Sequence, residues 1–173
     1  MDPKKEMYRK RGAILAGNLT RRQFDAYYCD SREEALQKAL ELVPDGATVG
    51  WGGAMSAQQI GLMDALRSKP VTLFDRETAQ SQEERTAILK QCLTANVFLT
   101  GANALSLDGQ MVNIDGTGNR AAAIAFGPDT VLVTSAILFE IPMVDQVDPA
   151  FYQEVKENDT IEIDADAGLV KIL

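Results

Sequence analysis

Ala47-Thr48-Val49-Gly50-Trp51-Gly52-Gly53-Ala54-Met55-Ser56 is the stretch on which the fold turns. A short β-branched run ends in two glycines, and apolar residues at Ile60, Leu62, Met63 and Leu66 then follow at helical spacing. This predicts a strand over 47–51, a tight loop, and a helix over about 56–67. Similar units lie on both sides. Asp30-Ser31-Arg32-Glu33-Glu34 opens a helix, with Asp30 or Ser31 as cap and acids in the first turn. Ala35, Leu36, Ala39, Leu40 and Val43 supply its buried stripe, and Pro44-Asp45-Gly46 ends it. Val71–Phe74 reads as a strand. Ser81-Gln82-Glu83-Glu84 has the spacing of a capping box and starts a helix to about Leu93. Ala95–Thr100 and Thr130–Thr134 read as buried strands. Asp108-Gly109 is a hairpin turn between Leu105 and Met111–Ile114, and Ala121–Ala125 begins another helix. At the start of the chain, Pro3 to about Leu19 has an amphipathic helical pattern, and Phe24–Cys29 is a short aromatic strand candidate.

Strand alternating with helix predicts an α/β fold: a three-layer α/β/α arrangement with a mostly parallel sheet covered on both faces. Ligands of such sheets bind beyond the carboxyl ends of the strands. After Ser135 the texture changes. Asp148-Pro149 starts a short helical stretch through Val155, and Asn158–Asp164 alternates as a strand. With Ala167-Gly168 as turn and Leu169–Leu173 as the last strand, the chain closes on a C-terminal β-hairpin. The expected division is an α/β domain over 1–134 and a β-rich segment over 135–173, packed on or completing the same domain.

The chain has 173 residues, 46% of them apolar and 24% charged. A chain of this size buries roughly 70% of its unfolded surface, so it needs neither disulfides nor a structural metal to form a core. There is no histidine. That excludes a histidine-dependent nucleophile and any histidine-ligated metal. Proton transfer then falls to Asp, Glu, Lys, Tyr, Cys or the ligand. Cys29 and Cys92 lie far apart and read as reduced, core-type thiols, too few to hold a zinc ion or an iron–sulfur cluster. The net charge of −8 opposes nonspecific nucleic-acid binding. The basic cluster Lys4, Lys5, Arg9, Lys10, Arg11, Arg21 and Arg22 reads as a solvated helix face. No apolar stretch reaches the roughly 18 residues of a membrane span, and the N-terminus lacks a secretory apolar core. The expectation is a cytoplasmic protein with no nucleic-acid or membrane partner and no metal site.

Three loops leave expected strand ends with unusual chemistry. Gly52-Gly53-Ala54-Met55-Ser56 lets backbone approach a ligand, with N–H groups at the following helix start and the Ser56 hydroxyl as donors. The plainer reading is a tight turn with Ser56 as helix cap. It is neither a Walker loop nor a dinucleotide fingerprint. Gly101-Ala102-Asn103 follows the next strand, and Asn103 can face the same crevice. Val112-Asn113-Ile114-Asp115-Gly116-Thr117-Gly118-Asn119-Arg120 is the most loaded segment. Asp115 offers a carboxylate, Gly116 and Gly118 free the backbone, and Thr117 and Asn119 offer neutral hydrogen-bonding groups. Arg120 offers a forked cation suited to carboxylate or phosphate. The plainer reading is a turn with an Asx cap and a surface arginine. The expected ligand-binding set is Gly52, Gly53, Ser56, Gly101, Asn103, Asp115, Gly116, Thr117, Gly118, Asn119 and Arg120, with Asp115 as the candidate catalytic residue and a small anionic metabolite, carboxylate or phosphate, as ligand.

Trp51–Ser56 with Ile60-Gly61-Leu62, Phe98–Ala104, and Val112–Arg120 with Phe126-Gly127-Pro128 resemble the LUD (lactate utilization, LutC-like) domain family. The likeness runs in order over about residues 1–134, and Asn113-Ile114-Asp115-Gly116-Thr117-Gly118-Asn119-Arg120 is its most specific string. It implies a fold related to the sugar-phosphate isomerase and CoA-transferase-like (NagB/RpiA-like) group. It also implies a subunit role in L-lactate oxidation beside separate iron–sulfur and flavin-type oxidase subunits, with no cofactor of its own. Homo-oligomerisation is a further expectation. Residues 136–173 resemble the end of an aconitase-X-type small-subunit swivelling domain, which implies a fusion or chimera. Two other readings stand beside the lactate one: a chimeric or degenerate scaffold without catalysis, and a sugar-phosphate isomerase with Asp115 as base.

Overall fold

A computed structural model describes residues 3–135 and, as backbone, residues 161–164 and 169–172. The chain forms two compact units, Met1–Ile137 and Leu138–Leu173. In chain order the first contains α1 (Pro3–Arg21), α2 (Arg32–Glu41), β1 (Thr48–Trp51), α3 (Met55–Gln59), α4 (Leu62–Arg67) and β2 (Thr72–Phe74). Then come α5 (Gln82–Gln91), β3 (Val97–Gly101), β4 (Ala104–Leu105), β5 (Met111–Val112), α6 (Asn119–Phe126) and β6 (Thr130–Thr134). In the second unit β7 (Ile161–Asp164) and β8 (Leu169–Ile172) pair antiparallel, Ile161 opposite Ile172. The expected terminal hairpin is therefore present; the helical stretch expected over 148–155 lies outside the described residues.

The first unit is built on a four-stranded sheet of order β2-β1-β3-β6, parallel throughout. Gly50 stands beside Phe74 on one side and Phe98 on the other. The chain steps from β1 outward to β2, then crosses back to lay β3 on the opposite side of β1. The order thus reverses between β1 and β3, and ligands of such sheets bind beyond the carboxyl ends at that point.

Strand alternation sorts side chains into two packed layers. Val49, Trp51, Val97 and Leu99 are buried with Ala57 of α3, Leu62 and Leu66 of α4, and Ala39 of α2. Phe98 points to the other face, buried with Cys92 and with Ala123 of α6, while Ile88 of α5 packs alongside. Helices therefore cover both faces, and the fold is the expected three-layer α/β/α. Each fully buried Leu or Phe contributes about 1.5–3 kcal/mol by leaving water. Trp51 belongs to this core. Cys92 is buried and Cys29 half-buried, and burial is the main cause that raises both thiols above their ordinary range.

Caps and pins define the elements. Ser31 accepts the Glu34 N–H at 3.1 Å and Ser81 accepts the Glu84 N–H at 3.0 Å, while each glutamate reaches back to the N–H of the residue before the serine. Asn96, not singled out by the sequence reading, pins three strand starts. Its Oδ1 accepts from the Thr48 N–H and hydroxyl at 2.9 Å, and its Nδ2 donates to Asp129 at 2.8 Å.

Two expectations are corrected. The helix expected over 56–67 is two helices, because Gly61 sits in the left-handed region at φ 78° and turns the chain between them. Phe24–Cys29 joins no sheet among the described residues. Of its aromatic residues, Tyr28 packs instead: its ring lies where a Cβ on Gly12 would stand, so that glycine lets α1 seat against it, while Phe24 and Tyr27 are exposed. No helix among the described residues is long and apolar enough to cross a membrane.

Gly50 tests the second layer. A Cβ there would stand 2.6 Å from Cys92 Sγ and 2.9 Å from its Cβ. Gly50→Ala should cost about 1–3 kcal/mol in urea denaturation, and Cys92→Ala in the same chain should recover part of the loss. An unchanged midpoint for Gly50→Ala would refute this packing.

Candidate functional site

The three glycine-bearing loops meet at the reversal point of the sheet. The first leaves β1 at Gly52, whose N–H donates to Leu99 O at 3.1 Å. The Gly53 carbonyl accepts the Gly101 N–H at 2.9 Å, which ties the first loop to the second. From there β4 and β5 carry the chain out and back as an antiparallel hairpin, turning at Gly109 with φ 85°. Asn103 closes its base. Its N–H donates to Val112 O at 3.0 Å, and its Oδ1 accepts the Ile114 N–H at 2.9 Å.

The third loop is organised by Asp115. Its Oδ2 accepts the N–H groups of Arg120 at 2.6 Å and Ala121 at 3.1 Å, and its Oδ1 accepts the Thr117 N–H at 3.2 Å. The residue at the N-cap of α6 is Gly118, at φ 83° and without a side chain to cap. Asp115 does that work from upstream, placing its negative charge at the positive end of the helix. Burial, the largest single influence, raises its carboxyl, but the backbone N–H groups of Ala121, Thr117, Arg120 and Gly118 together outweigh it and hold it below the usual carboxylate range. A carboxylate so held is a poor proton acceptor near neutral pH.

Arg120 lies at the centre. Its Nη1 donates to Asn103 Oδ1 at 2.9 Å, the same oxygen that takes the Ile114 N–H. Its guanidinium covers Gly53 so closely that a Cβ there would stand 2.6 Å from Nη2. A Cβ on Gly52 would meet Phe98 at 3.1 Å and Arg120 Cβ at 3.8 Å. Gly53, Asn103 and Asp115 thus converge on one side chain.

That cation is uncompensated. Among the described residues Arg120 forms no salt bridge, since Asp115 gives its oxygens to backbone. Its Nε is buried without a hydrogen-bond partner, and so is Asn113 Oδ1 in the same segment. Asn113 was quoted in the segment but not singled out; a polar residue between apolar Val112 and Ile114 was the available signal.

The other expected residues are placed as follows. Gly101 packs beside the Gly53 carbonyl, 3.6 Å from where its Cβ would stand. Gly116 has open space around it, Thr117 is exposed, and Asn119 is the first residue of α6. Ser56 does not cap. The N-cap of α3 is Ala54, and Ser56 is the second residue of a five-residue helix too short to build much dipole. Among the described residues no acid or thiol cluster has the makings of a metal site.

The Asp115 cap yields a pH test. Because its pKa is lower in the folded chain, its contribution is complete above the unfolded carboxylate pKa and is lost as pH falls through the folded one. Asp115→Ala should lose about 1 kcal/mol at pH 7, and the gap to the parent should narrow as pH falls below the ordinary carboxylate range. A gap that persists in acid would show that the carboxylate charge is not what holds α6.

Comparison with known proteins fits this framework. No curated protein and no solved structure matches the chain, and no comparison supports the likeness of residues 136–173 to a swivelling domain. The profile of the LUD domain matches residues 13–137, from within α1 to just past β6 and through all three loops. The chain belongs to the LUD domain family.

Proposed function

We propose that this protein binds a small carboxylate or phosphate anion at Arg120 and serves as a cytoplasmic subunit of an L-lactate oxidation system, beside separate iron–sulfur and flavin-type oxidase subunits. Membership of the LUD domain family suggests a function related to lactate utilization. The observation that carries the anion reading is the Arg120 guanidinium, which forms no salt bridge among the described residues and donates from Nη1 to the neutral Asn103 Oδ1. An anion that accepts from its Nη groups gains a charge-assisted bond, worth about 1.5–3 kcal/mol.

The other residues prepare that cation. Asn103 fixes Nη1 and leaves the rest of the fork free. Gly53 supplies the space in which the guanidinium lies. Asp115 holds the start of α6, and with it the Arg120 backbone, in place. Asp115 is thus a positioning residue. Its depressed pKa weighs against the isomerase reading, which needs it as a base.

Calorimetry with lactate, pyruvate and inorganic phosphate tests the reading. At least one should bind, and Arg120→Gln should weaken it by about 10- to 100-fold, the worth of a charged hydrogen bond. Arg120→Lys should fall between, because it keeps the charge and loses the fork. No binding by any of the three to protein with a cooperative melt would overturn the proposal and favour a scaffold role.

A further inference from the structure

Exposed apolar residues lie close along the chain to the groups that touch Arg120. Among the described residues, two of the three most exposed large apolar side chains are Ile114, at 71%, and Met55, at 70%. Both belong to the site by connectivity. The Ile114 N–H and Arg120 Nη1 donate to the same Asn103 oxygen, each at 2.9 Å. Met55 stands two residues beyond Gly53, on which Nη2 rests. Val112, which accepts the Asn103 N–H, is 44% exposed. The start of α3 and the segment from β5 to Ile114 therefore each carry exposed apolar residues within two positions of, or bonded to, a group that touches the Arg120 guanidinium.

From this juxtaposition, and resting on the anion reading above, we infer that the site takes an amphiphilic anion: a monocarboxylate or phosphate monoester whose apolar body is covered by Met55 and Ile114. A bare anion such as acetate leaves both side chains in water. An anion with an alkyl body covers them while its head group meets Arg120. Met55 and Ile114 lie on separate stretches of chain, each next to a group that touches the same guanidinium, which suits a small molecule with a charged end.

Two homologous series test the inference: the n-alkanoates from acetate to hexanoate, and the n-alkyl monophosphates from methyl to hexyl, titrated into the full chain by calorimetry. In at least one series affinity should rise about threefold per methylene, near the value for moving a CH₂ out of water. The double variant Met55→Ser/Ile114→Ser, altered only at exposed positions, should keep the fold and flatten that dependence, with the shortest member bound as before. Arg120→Gln should weaken every member about equally. Affinity independent of chain length, with Arg120-dependent binding intact, would overturn the amphiphile and leave the anion site standing. A length dependence that survives the double variant would likewise overturn the assignment to Met55 and Ile114. Failure of both series to bind folded protein would remove the anion reading and this inference together.

Discussion

A guanidinium that meets one neutral side-chain oxygen and no carboxylate among the described residues is the constraint around which this domain is arranged. Arg120 bonds to Asn103, lies on Gly53 and follows a helix start capped by Asp115. Each contact belongs to a different loop, so the position of the cation depends on all three. Asp115 could have neutralised the arginine. Instead its two oxygens are spent on backbone N–H groups at the start of α6. The charge at the crevice is left for something else to balance.

The sheet explains why these loops meet. With strand order β2-β1-β3-β6, the chain reverses direction across the sheet between β1 and β3. The loops after those two strands leave from adjacent strand ends, where the Gly53 carbonyl takes the Gly101 N–H, at the place where ligands of such sheets bind. The β4–β5 hairpin then returns the chain to the same end before α6 begins. Two buried layers stiffen the strands beneath, with Val49, Trp51, Val97 and Leu99 on one side and Phe98 against Cys92 and Ala123 on the other. The loops thus rest on the most rigid part of the unit, which favours a preformed site.

Much of this was legible from residue pattern. The β-branched runs at 47–51, 95–100 and 130–134 mark the strands, Ser81 with Glu84 marks a helix start, and Asp108-Gly109 marks a hairpin. Glycines after two strands and the dense Asp115–Arg120 string mark loops that do converge. What escaped depends on three-dimensional neighbours or on backbone angles. A helical stripe carries no sign that Gly61 will adopt positive φ. The aromatic run at 24–29 looks like a strand because aromatic residues favour strands, yet Tyr28 found its partner in Gly12 of α1. Ser56 has a capping residue's chemistry but lies two residues past the N-cap, Ala54. Asp115 carries two readings in the string, a catalytic carboxylate and an Asx cap, because a carboxylate among glycines offers no local sign of which N–H groups will claim it. That Arg120 lacks a counter-charge is a property of its surroundings, invisible in a one-dimensional string.

The most direct measurement is a crystal structure of the full chain grown with lactate or inorganic phosphate. The account predicts an anion oxygen at about 3 Å from Arg120 Nη1 or Nη2, with Gly53 and Asn103 on either side of the guanidinium and Asp115 still seated on the N–H groups of α6. An Arg120 side chain swung into solvent, with Gly53, Asn103 and Asp115 facing different sides of the molecule, would contradict it.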